Sequence, residues 1–327
     1  MKDFCIVGSG ITGSTIANLL AKKYSVEIFD KARGPGGRSS NRRYKNILSF
    51  DHGLQYISPK SNEFKKFILD LKKKNILKEW SGNHLDYTFK RQKNFIKYIG
   101  VKGNNDICKY LIKNIKANYL SEVTGIKFNS TYWTITLNNK DTVLFKNLIL
   151  TCPFPQLKNL GSRYLDKKIM NLNPVMLPNI TVMAVYKGYK KIPISSIKFN
   201  DKIISWACQE NSKNRFKSNE CLWTFQCSEI FSQKFINSFK ENKKKYQSIV
   251  LKQFEKLSGY QVKKVVFQNI HGWKYAYCMK NSKIESLWLK KINLGICADW
   301  FNGPKAEDSW LSANSLYKQI KKNPLKN

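Results

Sequence analysis

Three glycines near the start of the chain are spaced for one kind of chemistry. Gly8-Ser9-Gly10-Ile11-Thr12-Gly13 follows the apolar run Asp3 to Val7, the pattern in which a strand turns tightly into a helix whose first N–H groups face a diphosphate. Gly8 permits the turn, Gly10 lets backbone approach the phosphates, and Gly13 lets the helix lie close on the strand, with Ile11 and Thr12 opening that helix. Twenty-two residues after Gly8, the run Ser25 to Phe29 ends on Asp30, where a carboxylate reaches ribose hydroxyls. Lys31-Ala32-Arg33-Gly34-Pro35-Gly36-Gly37-Arg38 comes next. A unit holding only a nicotinamide nucleotide has no use for a second glycine-rich loop there. An extended flavin dinucleotide does, because backbone at Gly36 and Gly37 and the guanidinium groups of Arg33 and Arg38 can lie against its diphosphate and ribityl chain. These residues together predict FAD.

The elements that must position them are readable in outline. Ser14 to Lys23 has apolar residues Ile16, Ala17, Leu19 and Leu20 at helical spacing, which makes the opening a strand, turn and helix. Near the other end, Leu294 to Cys297 reads as a strand ending at Asp299, and Ser309 to Ile320 reads as a helix through Trp310, Leu311, Leu316 and Ile320. This predicts a second return to the nucleotide, with Asp299 accepting from a ribityl hydroxyl and the helix N-terminus near the flavin carbonyls. Lys116 to Val123 reads as a helix end followed by a strand. Trp133 to Leu137, Asn138-Asn139 and Val143 to Phe145 read as a hairpin.

Between these segments lie strand-like runs Ile180 to Tyr186, Ile203 to Cys208, Cys221 to Cys227 and Val262 to Phe267, with helix-like stretches Glu63 to Leu77 and Phe231 to Leu257. The fold class expected is α/β: a Rossmann-type FAD-binding domain built from discontinuous segments, residues 1–56, 98–155 and 285–327. A second α+β substrate domain with a mainly antiparallel sheet takes residues 57–97 and 156–284. Trp206, Trp223, Phe225, Trp273, Tyr275 and Tyr277 are its candidate ring-stacking residues, each equally at home in a core.

Composition narrows the function classes. Hydrophobic residues are 42% of the 327, with eight Trp and nineteen Phe, which excludes a disordered chain. The net charge of +36 could attract an anionic ligand. Only seven of the 58 basic residues are Arg, however, and the charge is scattered without a basic stripe or nucleic-acid motif, so no nucleic-acid partner is expected. Lys72 to Lys74 and Lys243 to Lys245 read as solvated faces. Eight Cys without a CxxC pair suit a reducing, cytoplasmic setting, and no apolar window is long enough for a membrane span. His52, His84 and His271 are isolated in sequence and lack metal-ligand spacing, so no metal is expected, and no GxSxG or paired-carboxylate pattern occurs. Oligomeric state is not encoded in any visible feature.

At this level of detail the chain resembles the renalase family of amine-oxidase-related flavoproteins. The resemblance is carried by Arg33 to Arg38, Phe50-Asp51-His52-Gly53-Leu54-Gln55-Tyr56-Ile57, Tyr98-Ile99-Gly100-Val101-Lys102-Gly103, Leu150-Thr151-Cys152-Pro153-Phe154-Pro155, His271-Gly272-Trp273-Lys274-Tyr275-Ala276, Leu294 to Trp300, and Ala306 to Ala313. Residues from about 160 to 265 carry little of it. It implies a hydride transfer to flavin N5 from the 2- and 6-dihydro isomers of reduced nicotinamide dinucleotides, giving NAD(P)+, with O2 as acceptor and hydrogen peroxide as product. It also implies adenine contact at Val123, a place for Glu307 in the C-terminal flavin motif, and a substrate wall of Gln55, Tyr56 and Ile57, with Tyr98 and Trp300 nearby, all acting as positioners with no acid or base. The chain departs from the family at Gly272 and Lys274, where arginines are usual, at Asp308 and Ala313, where glycines are usual, and at Ala298. An amine oxidase, a desaturase-like enzyme of the same fold and a flavin-holding relative without turnover are the alternatives.

Overall fold

The computed structural model describes residues 1–45, 47–92, 96–187, 193–260, 264–279 and 284–322. Its first sheet forms because short apolar segments far apart in sequence can be buried only against one another. Lys2–Val7 lies between Thr142–Leu150 and Val26–Phe29, parallel to both. Lys116–Asn118 extends the row beyond Val26–Phe29, and Leu294–Ile296 and Leu287–Leu289 extend it beyond Thr142–Leu150. Phe4, Cys5, Ile6, Leu148, Ile149 and Leu150 in the central strands are fully buried, as a parallel sheet covered on both faces requires.

Helices Ile11–Leu20 and Ala306–Lys322 share one covered face, where Ile16, Ala17, Leu20, Ala313, Leu316 and Ile320 form a common core. On the opposite face Cys5, Phe29, Leu148 and Leu150 pack with Ile126, Trp133 and Ile135, which belong to a meander of Val123–Phe128, Trp133–Leu137 and Thr142–Leu150 that includes the expected hairpin. Lys116 begins a strand here rather than ending a helix, because Ala117 and its neighbours pair with the edge of Val26–Phe29.

The second sheet runs in the order Val265–Cys278, Met176–Lys187, Glu220–Cys227, Ile204–Gln209, Ser196–Lys198, His84–Leu85, antiparallel except for the last pair. Val262 lies outside the described residues. Alternation along these strands divides their roles. On one face Ile180, Val182, Ala184, Trp223, Phe225 and Ile270 pack beneath helices Glu229–Phe235 and Lys243–Ser258. On the other, Leu222 joins Phe50 and Met183, while Gln226, His271, Trp273, Tyr275 and Tyr277 face a cleft toward the first sheet. Trp223 and Phe225 are therefore core, and Trp206 packs near Trp80.

The single helix expected over Phe231 to Leu257 is two, and the helix expected from Glu63 ends at Lys73, before strand Leu77–Glu79. Lys72 to Lys74 and Lys243 to Lys245 are exposed.

Candidate functional site

A cleft of about 1380 Å3 runs from the Gly8–Gly13 turn to the wall made by the second sheet. This exceeds the roughly 300–1,000 Å3 of pockets for drug-sized ligands and suits an extended dinucleotide. Its glycine-rich end is tightly built. A Cβ on Gly13 would lie 1.9 Å from the Gly8 carbonyl oxygen, and Gly8 itself has φ +103°, so helix and strand meet only because both residues lack side chains. Gly10 differs: a Cβ there would find no atom closer than 3.9 Å, leaving bare backbone beside the cleft. The helix begins without a side-chain cap and without an acidic residue in its first turn, so its N–H groups at Ile11, Thr12 and Gly13 face the cleft with their positive dipole end. These features fit a diphosphate.

Asp30 lines this end and also joins the two glycine loops. Its Oδ2 accepts from Ser9 N (2.7 Å) and Ser9 Oγ (2.6 Å), and its Oδ1 from Ala32 N (2.8 Å). Oδ1, which accepts one bond, can accept a second, so a ribose hydroxyl can be added there. Lys31, Gly36, Gly37 and Val123 also line the cleft, with Lys31 3.5 Å from Glu122. Arg33 does not, and it is exposed.

Arg38 and Asp299, expected to meet the cofactor separately, meet each other. The guanidinium makes a two-pronged pair, Nη1 to Oδ2 at 2.7 Å and Nη2 to Oδ1 at 2.6 Å, and Nη1 also donates to the Ala276 carbonyl at 3.0 Å. The pair joins the second glycine loop, the Asp299 turn and the second sheet at one point on the cleft wall. Glu307 lies off the cleft. Its carboxylate accepts from Lys60 N and Ser61 N at 2.8 and 2.7 Å, so it anchors a loop to helix Ala306–Lys322. Asp308 turns back to accept from Lys305 N, directing its carboxylate to the helix start rather than toward a phosphate.

At the substrate end, Gln55 and Tyr56 line the cleft, but Ile57, Tyr98 and Trp300 do not. Ile57 and Tyr98 pair through their backbones and bury their side chains in the core of the first sheet. Trp300 stacks on Phe301 and donates Nε1–H to the Cys152 carbonyl. All three are placed by apolar burial rather than by the cleft.

Two residues isolated in sequence come together here. His52 and His271 lie 4.8 Å apart, centre to centre, and both contact Trp273, whose Nε1–H donates to the His52 carbonyl at 2.8 Å. Burial lowers His52 to about 3, helped by the neighbouring His271, and burial lowers His271 to about 4, helped by Arg42. Both imidazoles are therefore neutral at neutral pH, and the buried His52 Nδ1 has no hydrogen-bond partner among the described residues. The remaining histidine, His84, bonds Ser196 and the Trp80 carbonyl within the fold. Gly272, on the same strand, makes room for Phe239, whose ring would sit 2.4 Å from a Cβ. An arginine at that position would have to displace the Phe239 ring and the Ile236 side chain. Lys274 lines the cleft.

Residues 6–71 match the family model of the NAD(P)-binding Rossmann-like domain. The chain is 26% identical to mouse (Mus musculus) renalase over 171 residues, 49% of this chain and 49% of the relative, so the match spans about half the length of that protein. A solved structure from Exiguobacterium sp. 255-15, assigned as a protoporphyrinogen oxidase, superposes with TM-score 0.76 at 11% identity over 99% of each chain. A redesigned triple mutant of putrescine oxidase superposes with TM-score 0.72, again at 11% identity and 99% of each chain. The chain is thus renalase-like in sequence over half its length and shares the fold of these oxidases throughout.

Proposed function

We propose that this chain is an FAD-dependent oxidoreductase that converts the 2- and 6-dihydro isomers of NAD(P)H to NAD(P)+, with dioxygen as acceptor and hydrogen peroxide as product. In this reading residues 1–56, 98–155 and 285–327 hold the flavin, and residues 57–97 and 156–284 cover the substrate. FAD, when bound, supplies the two-electron acceptor. Ile11 to Gly13 and the backbone at Gly10 hold its diphosphate, Asp30 its ribose, and the Arg38–Asp299 pair closes the wall beside its ribityl chain.

The observation that carries the substrate reading is the chemistry of the far end of the cleft. Trp273, Tyr275 and Tyr277 offer flat surfaces on which a dihydropyridine ring can be aligned. His52 and His271 offer neutral hydrogen-bonding groups that are poor bases, since an effective general base has a pKa near the working pH. Oxidising a dihydropyridine to a pyridinium removes a hydride and no proton, so alignment is what the site must supply.

An amine substrate would arrive as a cation, and the carboxylates lining this cleft are badly placed for one. Asp30 and Glu122 stand at the glycine-rich end, and Asp299 is paired with Arg38. The test is anaerobic mixing of the flavin-loaded protein with 6-dihydroNAD, ordinary NADH and putrescine in turn. Rapid bleaching of the flavin by the 6-dihydro isomer alone is expected. Bleaching by putrescine without bleaching by the isomer would sink the proposal in favour of amine oxidation.

A further inference from the structure

Behind the cleft wall at Gln55 lie four charges that this chemistry does not use. Lys213, Asp51, Glu210 and Arg215 have side chains no more than 3% exposed. Lys213 Nζ lies 2.8 Å from Asp51 Oδ2 and 2.9 Å from Glu210 Oε2. Arg215 Nη1 reaches the same Asp51 oxygen at 2.5 Å, and its other nitrogens donate to the Gly100 carbonyl and Asn104 Oδ1. Asp51 Oδ1 accepts from Asn41 Nδ2 and Asn104 N, both at 3.1 Å. Glu210 Oε1 accepts from Thr224 Oγ1 at 2.6 Å and from Asp51 N at 3.3 Å. The short turn Glu210–Lys213 sets its two charges three residues apart and ends on Asn214 with φ +50°.

Buried ion pairs of this kind stabilise a fold no better than apolar residues of the same volume. Stability alone therefore does not explain three of them sharing one site. What they fix is Gln55, which is 5% exposed and lines the cleft. Its Oε1 faces Lys213 Nζ at 3.4 Å and Cys208 Sγ at 3.6 Å, while its Nε2 donates to the carbonyls of Asp51 and Gly53. Turning the amide over would set its N–H groups against the ammonium. The turn held in this way aligns its neighbours: the Gly53 carbonyl accepts from Gln226 Nε2 at 2.8 Å, the His52 carbonyl from Trp273, and Leu54 N donates to the Arg38 carbonyl at 2.8 Å.

We propose that Lys213 is a positioning residue of the cleft: its ammonium, held between Asp51 and Glu210, orients the Gln55 amide and with it the His52–Gln55 turn against which the substrate ring is aligned. The proposal rests on the oxidoreductase reading above. Lys213 touches neither substrate nor cofactor, and its effect passes through Gln55.

The test uses flavin-loaded protein and two variants. Lys213→Met with Glu210→Gln removes one cation and one anion together and leaves the Arg215–Asp51 pair in place. Gln55→Leu leaves all four charges in place. Each is reduced anaerobically with 6-dihydroNAD, and the visible circular dichroism of the bound flavin is recorded without substrate. In both variants the limiting reduction rate should fall on the order of ten- to a hundred-fold, while the half-saturating concentration changes by less than about three-fold, and the dichroism should change shape. Wild-type rate and dichroism in the double variant would overturn the proposal. So would wild-type behaviour of Gln55→Leu, which decides alone if the double variant does not fold. If the wild type is not reduced by the isomer, the substrate reading falls, and the dichroism of the variants still decides the role of Lys213.

Discussion

Replacing Asp51 with Asn changes one atom and should cost much of the protein's stability. The Asp51 carboxylate is fully buried and is the point where Lys213 and Arg215 meet, at 2.8 and 2.5 Å. Neutralising it leaves two buried cations facing only Glu210. Breaking a buried pair by removing one partner costs about 3–5 kcal/mol, a large share of the roughly 5–15 kcal/mol that holds a typical protein folded. Glu210 moderates the loss. Burial holds its pKa up and the Asp51 charge adds to this, so without that charge Glu210 ionises more readily beside Lys213. The expected loss is therefore near the lower limit, about 3 kcal/mol. With a urea dependence of about 3 kcal/mol per molar, the unfolding midpoint should fall by about 1 M. Burial opposes ionisation of Asp51, but Arg215 and Lys213 outweigh it and hold the carboxyl well below its ordinary range. Its contribution is thus complete above the ordinary carboxylate value and is lost as pH falls below it, so the two proteins should converge only below about pH 4. The assay is equilibrium urea unfolding of flavin-loaded protein at neutral pH, followed by tryptophan fluorescence. A midpoint within about 0.2 M of wild type would refute the reasoning, because it would mean water reaches and screens these charges.

Gly13→Ala should yield protein that retains almost no flavin, measured by the ratio of visible to ultraviolet absorbance, because its Cβ would sit 1.9 Å from the Gly8 carbonyl oxygen and force the helix off the diphosphate position. Arg38→Lys keeps the charge but loses the two-pronged bond to Asp299, and flavin affinity measured by ultrafiltration should fall about ten-fold; unchanged affinity would separate the pair from cofactor retention. His52 is buried with its pKa near 3, against an ordinary value of 6.5, so the unfolded chain binds a proton that the folded one does not. Stability should therefore fall as pH drops below about 6.5, by about 2 kcal/mol from His52 at pH 5 and less from the more exposed His271. His52→Phe should flatten that part of the profile in urea unfolding measured across pH.

The parts of the site that were legible in the sequence are those built from local backbone. The Gly8 to Gly13 turn, Asp30 and the second glycine loop are strand–turn–helix chemistry, and the hairpin at residues 133–145 follows from period-two burial within a few residues. The His52–His271 pair was not legible, because the two residues approach only when Val265–Cys278 lies across the turn after Phe50–Asp51. Lys213 was invisible for another reason. In a chain with 58 basic residues, one buried lysine carries no compositional signal, and Asp51 and Gln55, which tie it to the cleft, lie 162 and 158 residues away in sequence. Ile57, Tyr98 and Trp300 show the opposite error: neighbours of cleft residues in sequence, they are turned into the core by strand and turn alternation. The same alternation places Trp223 and Phe225 under the helices while Gln226 faces the cleft, a distinction available in the sequence once the buried side of that strand is known.

The segment Phe50 to Gln55 explains why both sheets are needed for one site. Phe50 enters a core with Met183 and Leu222 of the second sheet. Asp51 points back to Lys213 and Arg215, whereas His52 points forward to the cleft. Gly53 lacks a side chain because a Cβ there would lie 2.0 Å from the Arg38 carbonyl oxygen, and that carbonyl also accepts from Leu54 N. Gln55 returns to Lys213. Consecutive residues thus contact the second sheet, the buried charges, the cleft and the flavin-side loop in turn, and none can move without moving a neighbour that serves a different part. Substitutions in this segment should consequently be non-additive in rate and in stability, as expected for residues in one hydrogen-bonded network. The role of any one residue is separable only when its partner is changed with it.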